Sequence, residues 1–331
     1  MADTNGGIGT RAPLATIFGG SGFVGRYAVR ALAKRGWRVR AAVRRPDLAG
    51  HLQVMGFPGQ VHPVQANVRN AASVAAAIDG ASAVVNLVGI LAASGKQTFE
   101  ALQLEGARTI AEAAAARDVD QLVQVSAIGA DAQSKARYAR TKAEGEQAVL
   151  AAFPGAVILR PSIIFGPEDE FFNRFAEMAT MSPLLPLIGG GQTRFQPVYV
   201  GDVAEAVALA CEGKAEPGTT YELGGPEIAS FKTLLERTLA WSGRERGFAS
   251  LPFGLAKLSA AMTKPLPSGL RPLTVDQVRM LQTDNVVSKA ALEEKRTLEG
   301  LGITAPTAMG SVVPGYLERF QPRGQFSNYR G

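Results

Sequence analysis

The sequence predicts an α/β protein: a Rossmann-type, doubly wound parallel sheet with a smaller C-terminal α+β region over the carboxyl ends of the strands. From Leu14 onward, short apolar runs alternate with longer alanine-rich stretches, a pattern typical of a parallel sheet covered by helices on both faces. A glycine-rich turn joins the first apolar run to the first helical stretch. The alternation loosens after about residue 166, and a chain of 331 residues has room for about two domains.

Six apolar runs are predicted strands, and five stretches of helical periodicity are predicted helices. The strands are Leu14–Phe18, Arg38–Val43, Val61–Gln65, 83–88, Gln121–Val125 and 157–159. The helices lie near 22–35, 71–79, 97–117, 136–153 and 203–212.

These elements predict a division of the chain into four parts. Residues 1–13 are an N-terminal extension, and 14–165 are a nucleotide-binding Rossmann domain to which 196–215 return. Residues 166–195 and 216–313 are a smaller, substrate-like region. The Pro- and Gly-containing tail, 314–331, is expected to be extended and to stay unfolded until it meets a partner.

Two apolar features are expected to be structural. In 251–262, the residues Leu251, Leu255, Leu258 and Met262 recur at helical spacing. Such a stripe favours packing in the core over contact with lipid, which stays an alternative. Cys211 lies in an apolar helical stretch and is interpreted as a small buried residue, not a nucleophile.

The scarcity of some residue types excludes several kinds of site. Cys211 is the only cysteine, and His51 and His62 are the only histidines, so no zinc, iron–sulfur or other metal site is expected. The longest apolar stretch, 83–93, is shorter than the roughly 20 residues that span a bilayer. Neither a secretory signal nor a transit peptide is visible in the first fourteen residues.

The net charge of +6 arises in one short segment. Eight Lys or Arg and no Asp or Glu lie between Arg26 and Arg45, and the other 27 basic residues nearly balance the 29 acidic ones. This segment coincides with the first helix and second strand of the nucleotide fold, so it predicts a local field for a phosphate-bearing ligand. No motif supports nucleic-acid binding.

The glycine-rich turn predicts the binding of a dinucleotide. It consists of Gly19, Gly20, Ser21, Gly22, Phe23, Val24 and Gly25. Residues without a Cβ atom let the backbone turn sharply and approach a pyrophosphate, whose charge meets free N–H groups at the start of a helix. The position between a first strand and a first helix separates this turn from a chance glycine triplet.

The end of the second strand favours NADP(H) over NAD(H). An NAD site has a carboxylate there to accept from the ribose 2′-hydroxyl, whereas an NADP site has an arginine nearby. Here Arg44 and Arg45 follow the strand, and a guanidinium can bind a 2′-phosphate through two hydrogen bonds. Asp47 is close enough to keep NAD(H) as the alternative.

Two loops after later strands are further candidates for the dinucleotide. Asn67 follows the third strand and is placed to bind adenine. The segment from Asn86 through Val88 to Gly89 follows the fourth strand and faces the adenine ribose and the nicotinamide side. Both asparagines are equally well explained as backbone caps in turns.

Ser126, Tyr138 and Lys142 are the candidate catalytic residues. Ser126 follows the fifth strand, and Tyr138 and Lys142 are four residues apart on the next predicted helix, so they share one face. A nearby ammonium is expected to lower the pKa of the phenol toward neutrality, which would let Tyr138 exchange a proton while hydride moves at a nicotinamide. Alternatively, Lys142 binds the nicotinamide ribose and Tyr138 only packs, so that the cofactor never turns over.

Several segments resemble the extended or atypical short-chain dehydrogenase/reductase superfamily. These are GGSGFVG at 19–25, YARTK at 138–142, and LRP at 159–161 through FGP at 165–167. Four others resemble, more narrowly, the NADPH-binding accessory subunits of respiratory complex I, the NADH:ubiquinone oxidoreductase. They are FGPEDEFFNRF at 165–175, QPVYVGDV at 196–203, LTVDQV at 273–278 and DNV at 284–286.

This resemblance covers about 14–320 and implies a tightly held NADP(H) with a structural, stabilising or assembly role in the respiratory chain. It implies that Pro161 and Ile164 also line the cofactor. The expected partners are peripheral-arm subunits near the quinone-binding module, with contact to the membrane surface left open and no homo-oligomer within the complex. Without a transit peptide, the chain is expected on the cytoplasmic face of a bacterial inner membrane, or on the mitochondrial matrix side as a mature form.

Two other functions compete with this one. The first is a soluble NADP-dependent reductase or epimerase that uses Ser126, Tyr138 and Lys142. Many of the complex I subunits are thought to lack a working active site, whereas this chain keeps all three residues, so turnover of its own stays open although it is not favoured. The second is a redox-sensing regulator that binds NADP(H) and a protein partner.

Overall fold

A parallel sheet of seven strands forms the centre of the structure, a computed structural model that describes residues 12–262 and 274–322. The strands are β1 (Leu14–Phe18), β2 (Arg38–Val43), β3 (Val61–Gln65), β4 (Ala83–Asn86), β5 (Gln121–Val125), β6 (Val157–Pro161), β7 (Ile164–Phe165), β8 (Leu184–Ile188), β9 (Arg194–Phe195), β10 (Val198–Tyr199), β11 (Thr220–Leu223), β12 (Ala229–Ser230) and β13 (Gly247–Leu251). The central sheet has the order β11-β6-β5-β4-β1-β2-β3, and the other strands form three two-stranded pairs.

The helices connect these strands and continue into the C-terminal part. They are α1 (Phe23–Lys34), α2 (Ala71–Ile78), α3 (Glu105–Ala115), α4 (Arg137–Ala152), α5 (Phe172–Met181), α6 (Val200–Cys211), α7 (Phe231–Trp241), α8 (Phe253–Met262), α9 (Val275–Met280), α10 (Lys289–Glu293) and α11 (Val313–Leu317). A π-helical turn, Glu100–Leu104, directly precedes α3.

Helices cover both faces of the sheet, which confirms the predicted fold class. On one face, α1 and α6 pack against the inward residues of the strands, Ala15 and Ile17 among them. On the other face, α2, α3 and α4 pack around Phe18. Because both faces are covered, every residue of β1 is buried, as expected for a central parallel strand.

All six predicted strands are present, and four of them have the predicted bounds. The strand that begins at Ala83 ends at Asn86 instead of residue 88, because the Asn86 side chain accepts a hydrogen bond from Val88 N at 3.0 Å and closes a turn. Strand β11 completes the sheet beside β6 from a segment that the sequence pattern assigns to the smaller region. The return to the sheet therefore extends to Leu223, and the division into parts otherwise stays a prediction.

An aromatic cluster forms the core of the smaller region. Phe165, Phe172, Phe175, Phe195 and Phe231 are buried together. Their rings meet mostly edge to face, with centroids between 5.1 and 6.4 Å apart where Phe171 joins them. The FGPEDEFFNRF segment thus supplies a second core beside the sheet.

The prediction of an extended tail from residue 314 is wrong for the part that the structure describes. Val313 and Leu317 of α11 are fully buried against the aromatic cluster. The Tyr316 hydroxyl donates to the buried Asp169 carboxylate, and Arg319 Nη2 donates to Asn173 Oδ1 at 2.7 Å. The prediction failed because it rested on the proline and glycine content of the segment and not on its few apolar side chains, which are buried. Residues 323–331 lie outside the described part of the chain.

The apolar stripe of 251–262 is not a core stripe. Leu255, Leu258 and Met262 are 56%, 58% and 73% exposed, whereas Ala256 and Ala260 are the buried residues of α8. The helix packs onto Ile188 and Val278 through these alanines and Phe253, with Leu251 beside them, and turns Leu255, Leu258 and Met262 outward. Among the helices of 12–262 and 274–322, none has the length and apolar character needed to cross a membrane. Cys211, in contrast, is buried as predicted, and burial raises the pKa of its thiol to about 12.

Replacing Leu317 by Ala should lower the free energy of unfolding by about 2–5 kcal/mol, because removal of a fully buried leucine leaves a cavity. Urea denaturation followed by circular dichroism measures this change. Leu292→Ala, at a position that is 58% exposed, is the matched control and should change the free energy by about 0.5 kcal/mol or less. Equal, small effects at both positions would contradict the packing of α11 against the core.

Candidate functional site

The glycine turn has the geometry of a phosphate cradle. Gly19 has a φ of +81°, which favours glycine, and Gly22 N donates to Gly19 O at 3.0 Å. A β-carbon on Gly25 would lie only 2.2 Å from Gly19 O, so only glycine allows α1 to lie this close to the turn. The N-cap residue of α1, Gly22, makes no side-chain cap, and the first turn contains no acidic residue. Gly19 N and Gly22 N are engaged within the protein, and the N–H groups of the first turn of α1 are the ones available to an anion.

The two arginines after β2 differ in their surroundings. Arg45 donates to Asp47 through Nε at 3.0 Å and Nη2 at 2.6 Å, so each neutralises the other. Arg44 is exposed, and no ion pair involving it is found in the described part of the chain. It lines a cavity of about 340 Å³ together with Gln65, Ala66, Asn67, Asn70 and Ser73. The cavity begins where β2 and β3 end, beside the first βα turn.

Asn67 and Asn86 both make the turn contacts that asparagine residues make as caps. Asn67 Oδ1 accepts from Arg69 N at 3.1 Å while the residue lines the cavity beside Arg44. Asn86 Nδ2 donates to Gln124 Oε1 at 2.8 Å, and its Oδ1 holds Val88 N. Asn86 therefore holds the loop that contains Val88 and Gly89. In this structure its side chain acts as a cap of the turn.

Ser126 and Lys142 meet at the carboxyl edge of the sheet. Ser126 follows β5, and its buried Oγ has no hydrogen-bond partner within the described residues. Lys142 Nζ donates to Val125 O at 3.1 Å, next to Ser126, and lies 3.4 Å from the place that a β-carbon on Gly89 would take. A buried hydroxyl without a partner, beside an ammonium group, is a donor and acceptor ready for a ligand.

Tyr138 lies one helical turn before Lys142 on α4. Its ring meets the edge of the Phe99 ring, with centroids 6.1 Å apart. The structure therefore brings Ser126 and Lys142 together through the Val125 carbonyl and places Tyr138 on the same side of α4.

The expected activation of the phenol is wrong for this structure. Burial raises the pKa of Tyr138 to about 12, and the same burial lowers the pKa of Lys142 to about 8, with Glu146 opposing that decrease. Loss of solvation disfavours both the phenolate and the ammonium. At neutral pH, Tyr138 is a protonated hydrogen-bond donor and not a poised base.

Pro161 and Ile164 flank the end of β6. Pro161 is buried, and its carbonyl accepts from Ile128 N at 2.9 Å. Ile164 is half-buried and packs on the core beneath the sheet. Their contact with a cofactor stays a prediction.

Two residues to which no sequence pattern gave a role in the site, Gln103 and Asn285, hold it in place. Gln103, in the π-helical turn, donates to Ile90 O at 3.0 Å and accepts from Thr141 Oγ1 at 2.8 Å, so it ties the Gly89 loop to α4. Asn285, from the DNV segment, donates to Ile128 O at 2.9 Å and accepts from Ile163 N at 3.1 Å. It therefore joins the ends of β5 and β6. A single Gln or Asn that bridges distant segments belongs to no repeated spacing, so a sequence pattern cannot predict it.

A sequence profile described as the NAD dependent epimerase/dehydratase family matches residues 15–224. The chain belongs to that family. The structure of a UDP-glucose 4-epimerase from Thermus thermophilus, determined with NAD, superposes with a TM-score of 0.67 over 94% of this chain and 99% of that chain, at 22% identity. At that identity the likeness shows the fold alone.

Longer matches extend beyond the nucleotide-binding part. The chain is 38% identical over 301 residues, 88% of its length, to 75% of the NADH dehydrogenase (ubiquinone) 1 alpha subcomplex subunit 9 of Arabidopsis thaliana, a mitochondrial protein. It is 29% identical over 313 residues, 94% of its length, to 80% of the mitochondrial NADH-ubiquinone oxidoreductase 40 kDa subunit of Neurospora crassa. The chain therefore also belongs to the family of the alpha subcomplex subunit 9, as the sequence resemblance indicates.

The lowered pKa of Lys142 predicts a pH dependence of stability. In the unfolded chain this lysine returns to a pKa near 10.5, so between about pH 8 and pH 10 the unfolded state binds more protons than the folded state. The free energy of unfolding contributed by this position should therefore rise with pH in that window.

The difference in unfolding free energy between the nucleotide-free wild type and Lys142→Met measures this contribution. On going from pH 7.5 to pH 10 it should shift in favour of the wild type by up to about 3 kcal/mol. A constant difference, or a shift toward the variant, would show that Lys142 is not desolvated.

Proposed function

We propose that the protein is an accessory subunit of respiratory complex I, holding NADP(H) as a bound group with a stabilising or assembly role. The observation that carries this proposal is the length of the match to the alpha subcomplex subunit 9, which covers 88% of the chain and not only the nucleotide fold. The segments that a general reductase would not need, FGPEDEFFNRF and DNV, supply the aromatic core and the Asn285 link.

The residues at the carboxyl edge of the sheet fit a nicotinamide dinucleotide. When bound, such a group supplies a hydride donor or acceptor. The Gly19–Gly25 turn and the start of α1 would hold the pyrophosphate, and the Val88–Gly89 loop with Ser126 and Lys142 would hold the nicotinamide ribose. The close contact at Gly25 and the unpartnered Ser126 hydroxyl support this fit.

The surroundings of Arg44 support NADP(H) over NAD(H). Its guanidinium lines the cavity beside the end of β2, where the 2′-position of the adenosine ribose would lie. Asp47, which kept NAD(H) open as an alternative, is engaged by Arg45 and does not line that cavity. Asp47, the carboxylate that could accept from the ribose of NAD, is thus already paired with Arg45. Arg44, the guanidinium that could bind the 2′-phosphate of NADP, has no ion pair among the described residues.

Arg44→Ala should weaken NADPH binding about 10- to 100-fold, because a charge-assisted pair with the 2′-phosphate is lost, and should leave NADH binding nearly unchanged. Arg45→Ala is the matched control. It should have a much smaller effect on NADPH, because that guanidinium is already paired with Asp47. Titration of the nucleotide's fluorescence gives both affinities, and equal losses for NADPH and NADH in Arg44→Ala would overturn the assignment.

The chemistry of the site supports a bound group more than steady turnover. With the pKa of Tyr138 raised to about 12, the phenolate that would take a proton from a substrate alcohol is costly to form at neutral pH. A second function nevertheless has a specific observation behind it, since Ser126, Tyr138 and Lys142 are all present and Ser126 Oγ has no partner among the residues described. That arrangement suits an NADP-dependent reductase acting on a carbonyl.

The proposed partners are peripheral-arm subunits near the quinone-binding module, on the cytoplasmic face of a bacterial inner membrane or, for a mature eukaryotic chain, on the mitochondrial matrix side. Two surfaces support attachment of this kind. The exposed Arg30 and Lys34 of α1 suit an acidic neighbour, and the exposed Leu255, Leu258 and Met262 of α8 offer apolar area. Contact of α8 with the membrane surface remains a prediction.

Solubilisation of native membranes in mild detergent, followed by native gel electrophoresis, tests the main function. The protein should migrate with NADH:quinone oxidoreductase activity, and mass spectrometry of the denatured complex should find released NADP(H). Recovery of the protein only as a free soluble species would sink the proposal. A Tyr138→Phe strain separates the two functions, because respiration that stays normal while reduction of a carbonyl is lost would favour the reductase.

A further inference from the structure

The helix that carries Tyr138 and Lys142 begins without a cap of its own. The N-cap residue of α4 is Ala136, which makes no side-chain hydrogen bond to the first turn. Alanine is among the poorest residues at that position. Lys135 and Arg137 add positive charge at the end of the helix where the backbone dipole is already positive. The local sequence therefore leaves the first turn of α4, which contains Tyr138, prone to fray.

A carboxylate from the C-terminal part of the chain fills this place. Asp276 Oδ1 accepts from Arg137 N at 2.8 Å, and Asp276 Oδ2 accepts from Tyr138 N at 2.7 Å. These are the first two N–H groups of α4, which have no partners within the helix itself. The negative charge also opposes the positive end of the helix dipole.

Asp276 is itself held by several contacts. It lies in α9, whose start is closed by a reciprocal pair of bonds between Thr274 and Gln277. Val278, two residues on, is fully buried in the small cluster beneath α8. Arg279 Nη1 donates to Lys135 O at 3.0 Å. Two residues of α9, Asp276 and Arg279, therefore bind the start of α4.

We propose that Asp276 is a positioning residue of the dinucleotide site, which caps α4 from another part of the chain and thereby couples nucleotide binding to the α8–α9 region. The proposal rests on the proposed binding of NADP(H) and goes beyond it. Tyr138 is the second residue of α4, so the direction of its side chain depends on the turn that Asp276 closes. By reciprocity, a nucleotide held by Tyr138 and Lys142 stabilises α9 through the same two hydrogen bonds.

Hydrogen–deuterium exchange of the whole protein, with and without NADPH, tests this coupling. In Asp276→Ala the amides of Arg137 and Tyr138 should exchange faster, and NADPH should bind up to about tenfold more weakly, in keeping with the loss of a helix cap. In the wild type, NADPH should slow exchange in both α1 and α9. In the variant it should protect α1 but no longer α9.

Two further variants make the outcome decisive. Asp276→Asn keeps the shape and one acceptor, so it should give an intermediate effect and serves if the alanine variant fails to fold. Asp202→Ala removes another carboxylate that accepts from a distant backbone N–H, that of Thr307, and should lower thermal stability without changing exchange at the start of α4.

Unchanged exchange at Arg137 and Tyr138 in both Asp276 variants, or full protection of α9 by NADPH in them, would overturn the proposal. Failure of the wild type to bind NADPH is a different result. It would remove the proposed function, while the exchange of α4 in the nucleotide-free variants would still decide whether Asp276 caps that helix.

Discussion

The close approach of α1 to the glycine turn is the constraint on which the other contacts of the site depend. With no room for a β-carbon at Gly25, the helix axis is fixed against the end of β1. In this position of α1, Arg26 Nη1 and the Tyr27 hydroxyl donate to the Glu168 carboxylate at 3.0 and 2.9 Å. The FGPEDEFFNRF segment is thereby attached to the nucleotide fold, and its next residue, Asp169, receives the Tyr316 hydroxyl. The close contact at Gly25 is thus connected, through Glu168 and Asp169, with the aromatic core and α11.

Residues from the C-terminal part of the chain hold elements of the candidate site in place. Asn285 joins the ends of β5 and β6, and Asp276 closes the first turn of α4. Parallel strands leave their carboxyl ends as separate loops, and those loops need neighbours to hold them. In this protein the neighbours come from residues more than a hundred positions away.

The sequence was sufficient for features whose cause is local. The strands, the glycine turn and the spacing of Tyr138 and Lys142 depend on neighbouring residues, and periodicity reveals them. It was insufficient where the partner is distant or where burial decides. Asp276 and Asn285 act on loops more than a hundred residues away, and even between near neighbours the pattern did not show which of two arginines pairs with Asp47. The stripe on α8 has helical spacing, yet two alanines and not the leucines face the core. The pKa of Tyr138 depends on burial that no pattern on α4 reports.

The alanine face of α8 has a consequence for the supply of the protein in a cell. Apart from Phe253, α8 contacts its small core cluster through two alanine methyl groups, which bury little apolar area. Leu255, Leu258 and Met262 present apolar side chains to water, the kind of surface on which chaperones and proteases act. If α8 docks on a neighbouring subunit as proposed, unassembled copies are the ones that such factors would remove first.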